Sequence, residues 1–540
     1  MKTSFLPPLM ALSLYCSLAQ AAPAEHQEFE TTLLAPFQAG AARGRTFTLG
    51  FAYPGLPQAA IVDWRVELVK PGGRVALRWR GAAPFTGEAM TVAVPWSGRL
   101  GRGLAPAGIY KVRLKATVRG AGRAAHESHA QEWEIAVGAP REPAMPAFSP
   151  LRRAFAPAAA PAPGALPYTV YLGNLHSQTN HSDGGADVTG CKGAQPPLKA
   201  PHGPDAAFAY ARERGLDILV ASEHNHMYDG SEGSAPNADP AAARALYRSG
   251  MDAAAGFSRQ HPDFLAVYGL EWGVINNGGH INIFNSDELL GWETNARGEL
   301  MADIRTPRGD YAALYTLMRQ RGWVGQFNHP AHAGQFQVDG VPLAYTEDGG
   351  EAMALCEVMN STAFSTRVDE GETRRSNFEG ACNRLLEAGY RLAFSTNQDN
   401  HCANWGASFT NRTGMLLPNG VVLNRASFVE ALKARRVFAT MDKDSQLVLT
   451  ANGRLMGERF TNRGPLTLMA NFASLNGRKA ASVAIMEGVP GRKGTVTQMS
   501  DQAETTFTPS PGAHFYYAKV TQDDGNVLWS APVWVTQEAD

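Results

Sequence analysis

The chain reads as an α/β protein: a central region of alternating helices and apolar strands, residues 168–440, between two strand-rich regions, 25–138 and 441–540. Three observations predict this. Apolar runs at 216–221, 264–270 and 390–395 each follow a stretch with helical character, the pattern of parallel strands covered by helices. Outside that region the runs are short, alternate apolar with polar, and are separated by Gly/Pro turns. Metal-capable side chains recur where the central apolar runs end. At 540 residues the chain is too long for one core, and two to four domains are expected.

Taken in order, residues 1–24 carry Lys2, an apolar stretch over 5–18, and Ala19-Gln20-Ala21 before Ala22-Pro23. This is the make-up of a cleavable export signal, so a periplasmic or secreted protein is expected. Cys16 follows Tyr15 rather than a small residue, which argues against lipid attachment. Residues 25–138 contain 64–69, the turn Lys70-Pro71-Gly72-Gly73, then 74–79, 109–114 and 132–137, a β-sandwich pattern without a catalytic cluster. Residues 106–114 resemble the immunoglobulin-like module of flagellar hook-cap proteins. Residues 139–167 are Ala/Pro-dominated and cannot build a core, so they are expected to be a linker.

In the central region, helical stretches at 205–214, 240–260, 310–321 and 377–388 lead into strands at 216–221, 264–270, 323–327 and 390–395. Several such units in series favour a barrel, with an open sheet as the alternative. After residue 435 the pattern returns to strands at 446–450, 466–471, 481–485 and 514–520, a small C-terminal β-domain with no linker before it.

A net charge of −1 with 18% charged residues gives no footprint for nucleic acid or an acidic membrane surface. No second long apolar segment follows the signal, so no membrane insertion is expected, and the oligomeric state stays open. Removal of the signal leaves Cys191, Cys356, Cys382 and Cys402, which permit three pairings. Cys191 and Cys402 each follow a segment of candidate ligands, which favours pairing those two over a thiolate ligand at Cys402.

The chemistry is concentrated at the strand ends. After the apolar run 168–172 come His176, Gln178, His181 and Asp183. Later ends carry Glu223-His224-Asn225, Glu271-Trp272, Gly278-Gly279-His280, Asn328-His329-Pro330 and Asp399-Asn400-His401. In parallel α/β folds such ends converge on one site. A lone histidine is usually a surface or core residue, but His176, His224, His329 and His401 hold equivalent places on four strands, which predicts a shared metal site. His202, His226, His261 and His332 lack that placement, although His226 and His332 are close enough to touch substrate.

This ordered set of motifs resembles the PHP (polymerase and histidinol phosphatase) superfamily over residues 168 to about 440. The resemblance implies a distorted (β/α)7 barrel with two or three divalent ions (Zn, Mn or Fe) at its mouth. It implies His176, Asp183, His224, Glu271, His280, His329, Asp399 and His401 as ligands. Glu271 would bridge two ions, Asp399 would complete one and His280 with His329 its neighbour. Asp183, His224 and His401 would hold a third, and Glu223 would orient His224. Gln178 stands where the family has histidine, a weaker ligand that puts the ion count in question, with His181 as a substitute. The implied activity is hydrolysis of a small-molecule substrate, with Glu271 as bridging base and His401 or His226 as proton donor. A phosphoester is the first expectation, with Arg412 steadying the phosphoryl group. A carbamate, ester or amide is the alternative, and a degraded metal- or ligand-binding module is the alternative of another class.

Overall fold

The computed structural model describes residues 29–39, 44–53, 60–85, 87–120, 127–153, 166–275, 277–330, 337–338 and 341–539. The expected signal at 1–24 and His332 lie outside these residues.

In the N-terminal region the alternating pattern folds as two antiparallel sheets. Glu30–Leu34, Arg45–Ala52 and Ala89–Trp96 form one. Val75–Phe85, Ala60–Val69, Gly108–Arg119 and Glu127–Val137 form the other. Their inward residues, among them Phe47, Leu49, Val66, Val112 and Trp133, are buried together, as period-two alternation requires. Part of the expected linker is anchored rather than loose. Leu151 is buried, and its N–H donates to Gln446 Oε1 (2.8 Å) while Gln446 Nε2 donates back to its carbonyl (3.1 Å).

The central sheet contains β1 (Tyr168–Asn174), β2 (Ile218–His224), β3 (Leu265–Val274), β4 (Gly279–Ile283), β5 (Gly325–Phe327), β6 (Met353–Ser361), β7 (Ala393–Asn397) and β8 (Arg412–Pro418). β1, β2 and β3 pair in parallel, as do β5, β6 and β7. β4 runs antiparallel to both β3 and β5, and β8 runs antiparallel to β1. The Thr413 side chain of β8 bonds the backbone of Thr396 in β7 at 3.0 Å, so the strands return on themselves.

The expected distorted (β/α)7 barrel is therefore corrected. Strand outweighs helix over the described residues taken together, which hold six helices: α1 (Pro204–Glu213), α2 (Pro240–Gln260), α3 (Tyr311–Arg321), α4 (Glu347–Ala352), α5 (Glu379–Ala388) and α6 (Arg425–Lys433). Two physical features break the βα repeat. Gly278, at φ +108° and with Tyr311 where a Cβ would stand, folds β3 directly back into β4 with no helix between. The connection from β7 to β8 likewise contains no helix.

The C-terminal strands continue the central sheet. Val437–Thr440 pairs with β8 on one side and with Val527–Ser530 on the other, so this region is joined through backbone hydrogen bonds. Among the described residues no helix is long and apolar enough to cross a membrane.

Two disulfides tie the central region: Cys191–Cys402, the pairing favoured from sequence, and Cys356–Cys382. Cys402 is thereby excluded as a thiolate ligand.

Candidate metal centre

Strand register builds the site. In the β2–β3 pair His224 lies opposite Glu271, and in the β3–β4 pair Gly273 lies opposite His280, so three candidate ligands meet at one sheet end. The loop after β1 reaches the loop after β7 through the Ser177–Asn400 and Ala186–Cys402 bridges. Gly185 N–H donates to the His401 carbonyl at 2.8 Å, which sets Asp183 beside His401. Gly184 is required in that loop, since a Cβ there would stand 2.6 Å from the Gln178 backbone carbon. His329 (φ 26°) and Asp399 (φ 50°) hold left-handed backbone that such residues rarely adopt. Strain of about 1–3 kcal/mol at each is the kind that clusters at functional sites.

Side chains on these ends fall into three groups, each with its ligand atoms within 4.8 Å of one another: His176, His329 and Asp399; Asp183, His224 and His401; His224, Glu271 and His280, the last two sharing His224. All are buried. Glu271 is the hub. Its Oε2 is 2.9 Å from His176 Nε2 and 3.9 Å from His224 Nδ1, and its Oε1 is 2.9 Å from His280 Nδ1 and 3.4 Å from His329 Nε2. Asp399 Oδ1 lies 3.0 Å from His176 Nε2, and Asp183 Oδ1 lies 3.4 Å from His401 Nε2 and 3.8 Å from His224 Nε2.

These spacings suit a divalent ion. Nitrogen and oxygen ligands about 2.0–2.2 Å from a metal stand roughly 3.3 Å from each other in a tetrahedral shell. The donor set, imidazole plus carboxylate with no thiolate, fits zinc, manganese or iron. Electrostatics agree. Burial alone would raise the Glu271 carboxyl, but the imidazoles of His176, His280 and His224 hold it well below the usual carboxylate range. Burial would likewise lower His176, yet Asp399, Glu271 and Glu357 hold it well above the ordinary histidine value. A buried carboxylate set of this kind calls for positive charge among it.

The grouping differs from the expected one in detail. Asp183, His224 and His401 stand together as anticipated, whereas His329 joins His176 and Asp399, and His280 joins His224. Gln178 is not placed as an oxygen ligand. Its Nε2 donates to Glu271 Oε2 (2.5 Å), and its Oε1 accepts from Ser182 Oγ (3.0 Å), so it steadies the hub carboxylate. His181 does not replace it: its Nδ1 is 2.7 Å from the Tyr268 hydroxyl, and burial pushes its pKa down to about 4. Glu223 does not orient His224, because neighbours on a strand face opposite sides. It accepts instead from Thr179 N (3.0 Å), Thr179 Oγ1 (2.6 Å) and Ser182 Oγ (2.6 Å), fixing the ligand loop, and burial pushes its carboxyl up to about 7.

Sequence reasoning missed Glu357, a fully buried carboxylate on β6. Its Oε1 is 3.3 Å from His176 Nδ1 and accepts from Asn397 Nδ2 (2.9 Å), and its Oε2 accepts from His329 N–H (2.8 Å). It thus orients one candidate ligand by side chain and another by backbone. Asn328 was also missed as a contributor, donating to Glu271 Oε1 and to Asn282 Oδ1, each at 2.8 Å. The available signal for Glu357 was a lone acid inside an otherwise apolar strand run, residues 353–359.

His226 is buried beside the centre, its ring 5.9 Å from that of His224 and stacked on Trp292 at 5.5 Å. His401 Nδ1 lies 2.9 Å from the Asp399 carbonyl, which turns Nε2 toward Asp183. Arg412 does not face the centre. Its guanidinium donates to Glu370 Oε1 (2.7 Å) and to the carbonyls of Phe409 (3.1 Å) and Asn411 (2.8 Å).

No family model and no curated protein matches the chain. Among solved structures it is similar to a beta-glucuronidase of Bacteroides uniformis, at 9% identity over 94% of this chain and 61% of that one, with a TM-score of 0.15. A beta-glucuronidase of Parabacteroides merdae gives 7% identity over 95% and 64%, TM-score 0.16. A glycosyl hydrolase family 2 member from Bacteroides cellulosilyticus gives 10% over 96% and 64%, TM-score 0.17. The chain spans less than two thirds of the length of these structures. The expected membership of the PHP superfamily is corrected, since no family model recovers it. The PHP-type phosphoesterase reading and its carbamate, ester or amide alternative go with it, and Arg412, the cation meant for a phosphoryl group, is committed elsewhere. At such TM-scores the glycosidase likeness in turn assigns neither fold nor activity to this chain.

Proposed function

We propose that the chain is a metal-dependent hydrolase holding two or three divalent ions at the end of its central sheet and acting on a small molecule. One observation carries the reading: three buried His/carboxylate groups lie side by side, two of them sharing His224, with Glu271 close to members of each. Divalent ions bound there would supply Lewis acidity, lowering the pKa of a water and polarising a substrate oxygen.

The chain's own residues divide the remaining work. Glu271 offers Oε1 toward His280 and His329 and Oε2 toward His176, with Gln178 and Asn328 holding its plane. Glu357 fixes the His176 ring, and the Asp399 carbonyl fixes that of His401. With His401 Nε2 turned to Asp183, the proton for a leaving group is better assigned to His226, next to His224 and stacked on Trp292. An exported, periplasmic or secreted setting is part of the proposal, supported by the residue pattern at 1–24 and by two disulfides.

The test is turnover of a panel of chromogenic small-molecule substrates before and after chelation. The expected result is hydrolysis that chelation abolishes and zinc or manganese restores. Hydrolysis untouched by complete metal removal would overturn the reading.

A further inference from the structure

Two half-buried aromatic side chains border the metal centre and have no role in the proposed hydrolysis. Trp292 lies against His226, rings 5.5 Å apart and 19° from parallel, and His226 in turn borders His224. Phe364 lies against His401 at 4.9 Å. Both are set in place by residues at or beside the candidate ligands. Asn225, next to His224, donates Nδ2 to the Leu290 carbonyl (3.1 Å), holding the loop that carries Trp292. His401 N–H donates to the Ala363 carbonyl (3.1 Å), and Asn404 Nδ2 donates to the Ser365 carbonyl (2.6 Å), holding the loop that carries Phe364. Trp292 is further braced edge-on by Trp272 at 5.5 Å, itself anchored through its indole N–H to Thr306 Oγ1 (2.9 Å).

Partly exposed aromatic surface held this firmly beside buried polar ligands is the arrangement that binds a flat apolar group at small entropic cost while a polar group goes to the ions. We propose that Trp292 and Phe364 form an aromatic rim that selects ligands carrying a flat apolar ring next to their metal-seeking oxygens. This rests on the metal-centre reading. The rim fixes the substrate class as ring-bearing, and it makes Trp292 and Phe364 specificity residues rather than ligands.

Two hydroxamates test it, because both chelate through the same two oxygens and differ in the ring: benzohydroxamate and acetohydroxamate, titrated calorimetrically into metal-assayed protein. The ratio of their affinities is read, so partial loss of ion in a variant cancels. Benzohydroxamate is expected to bind about tenfold tighter, as a ring contact of about 1.4 kcal/mol gives. Trp292→Leu and Phe364→Leu should each cut the ratio at least threefold, and Trp292→Phe should restore most of it. A ratio near one in the metal-loaded wild type, or one that survives both leucine substitutions, would overturn the rim. Wild-type protein that takes up no divalent ion would instead overturn the metal reading beneath it.

Discussion

Removing the Cys191–Cys402 bridge by the double substitution Cys191→Ser, Cys402→Ser probes how the centre is held. The bridge spans 211 residues and joins the loop after Asp183 to the residue after His401. For a closed loop of that length the chain-entropy model gives at most about 5 kcal/mol of stabilisation. Spread over an unfolding entropy of roughly 2.1 cal/mol/K per residue for the whole chain, this corresponds to a fall in melting temperature of about 5 °C. The ligand loops stay linked by backbone bonds, Gly185 N–H to the His401 carbonyl and Ala403 N–H to the Ala186 carbonyl, each at 2.8 Å. Metal affinity at the Asp183, His224 and His401 group should therefore weaken by about tenfold rather than vanish, as when a supporting contact around ligands is removed. Calorimetric melting with a chelator titration read by mass spectrometry measures both effects. The variant should melt lower and release its first ion earlier. A double variant that melts and releases metal as the wild type does would refute the claim that this bridge braces the centre.

Other substitutions address single residues. Glu271→Gln leaves the shape but removes the hub charge, and the breaking of a buried pair at about 3–5 kcal/mol predicts a fall in metal affinity of at least a hundredfold by equilibrium dialysis. Glu357→Gln should weaken binding at the His176, His329 and Asp399 group by about 10–100-fold with little change in melting temperature, because it unseats the His176 ring rather than removing a ligand. Gln178→His sets an imidazole beside Glu271 in place of an amide donor and should raise the bound metal per chain by elemental analysis. Gly184→Ala puts a methyl group against the Gln178 backbone, which has little room to yield, and should cost about 1–3 kcal/mol by denaturant melting together with metal from the Asp183 group.

The candidate ligands were legible because each ends or opens an apolar run, and strand ends are where a sheet gathers polar groups. His176, Asp183, His224, Glu271, His280, His329, Asp399 and His401 meet for that reason. What periodicity does not encode is direction. The strand at His280 carries the same apolar signature whether it runs with or against its neighbours, and only the Gly278 turn distinguishes a hairpin from a crossover. The same blindness to face misassigned Glu223, whose side chain leaves the strand on the opposite side from His224. Glu357 escaped notice because a single acid within 353–359 looks like an exception until His176 and His329 are seen against it. Gln178 read as a weakened ligand because the sequence shows its position and not its partners, Glu271 and Ser182.

The central claim is that this sheet end holds metal. Protein purified without chelators, analysed by inductively coupled plasma mass spectrometry beside the Glu271→Gln variant, tests it most directly. The account predicts two or three zinc, manganese or iron ions per chain in the wild type and a clear loss in the variant. Wild-type protein that carries no divalent ion and takes none up on dialysis against zinc or manganese would contradict it.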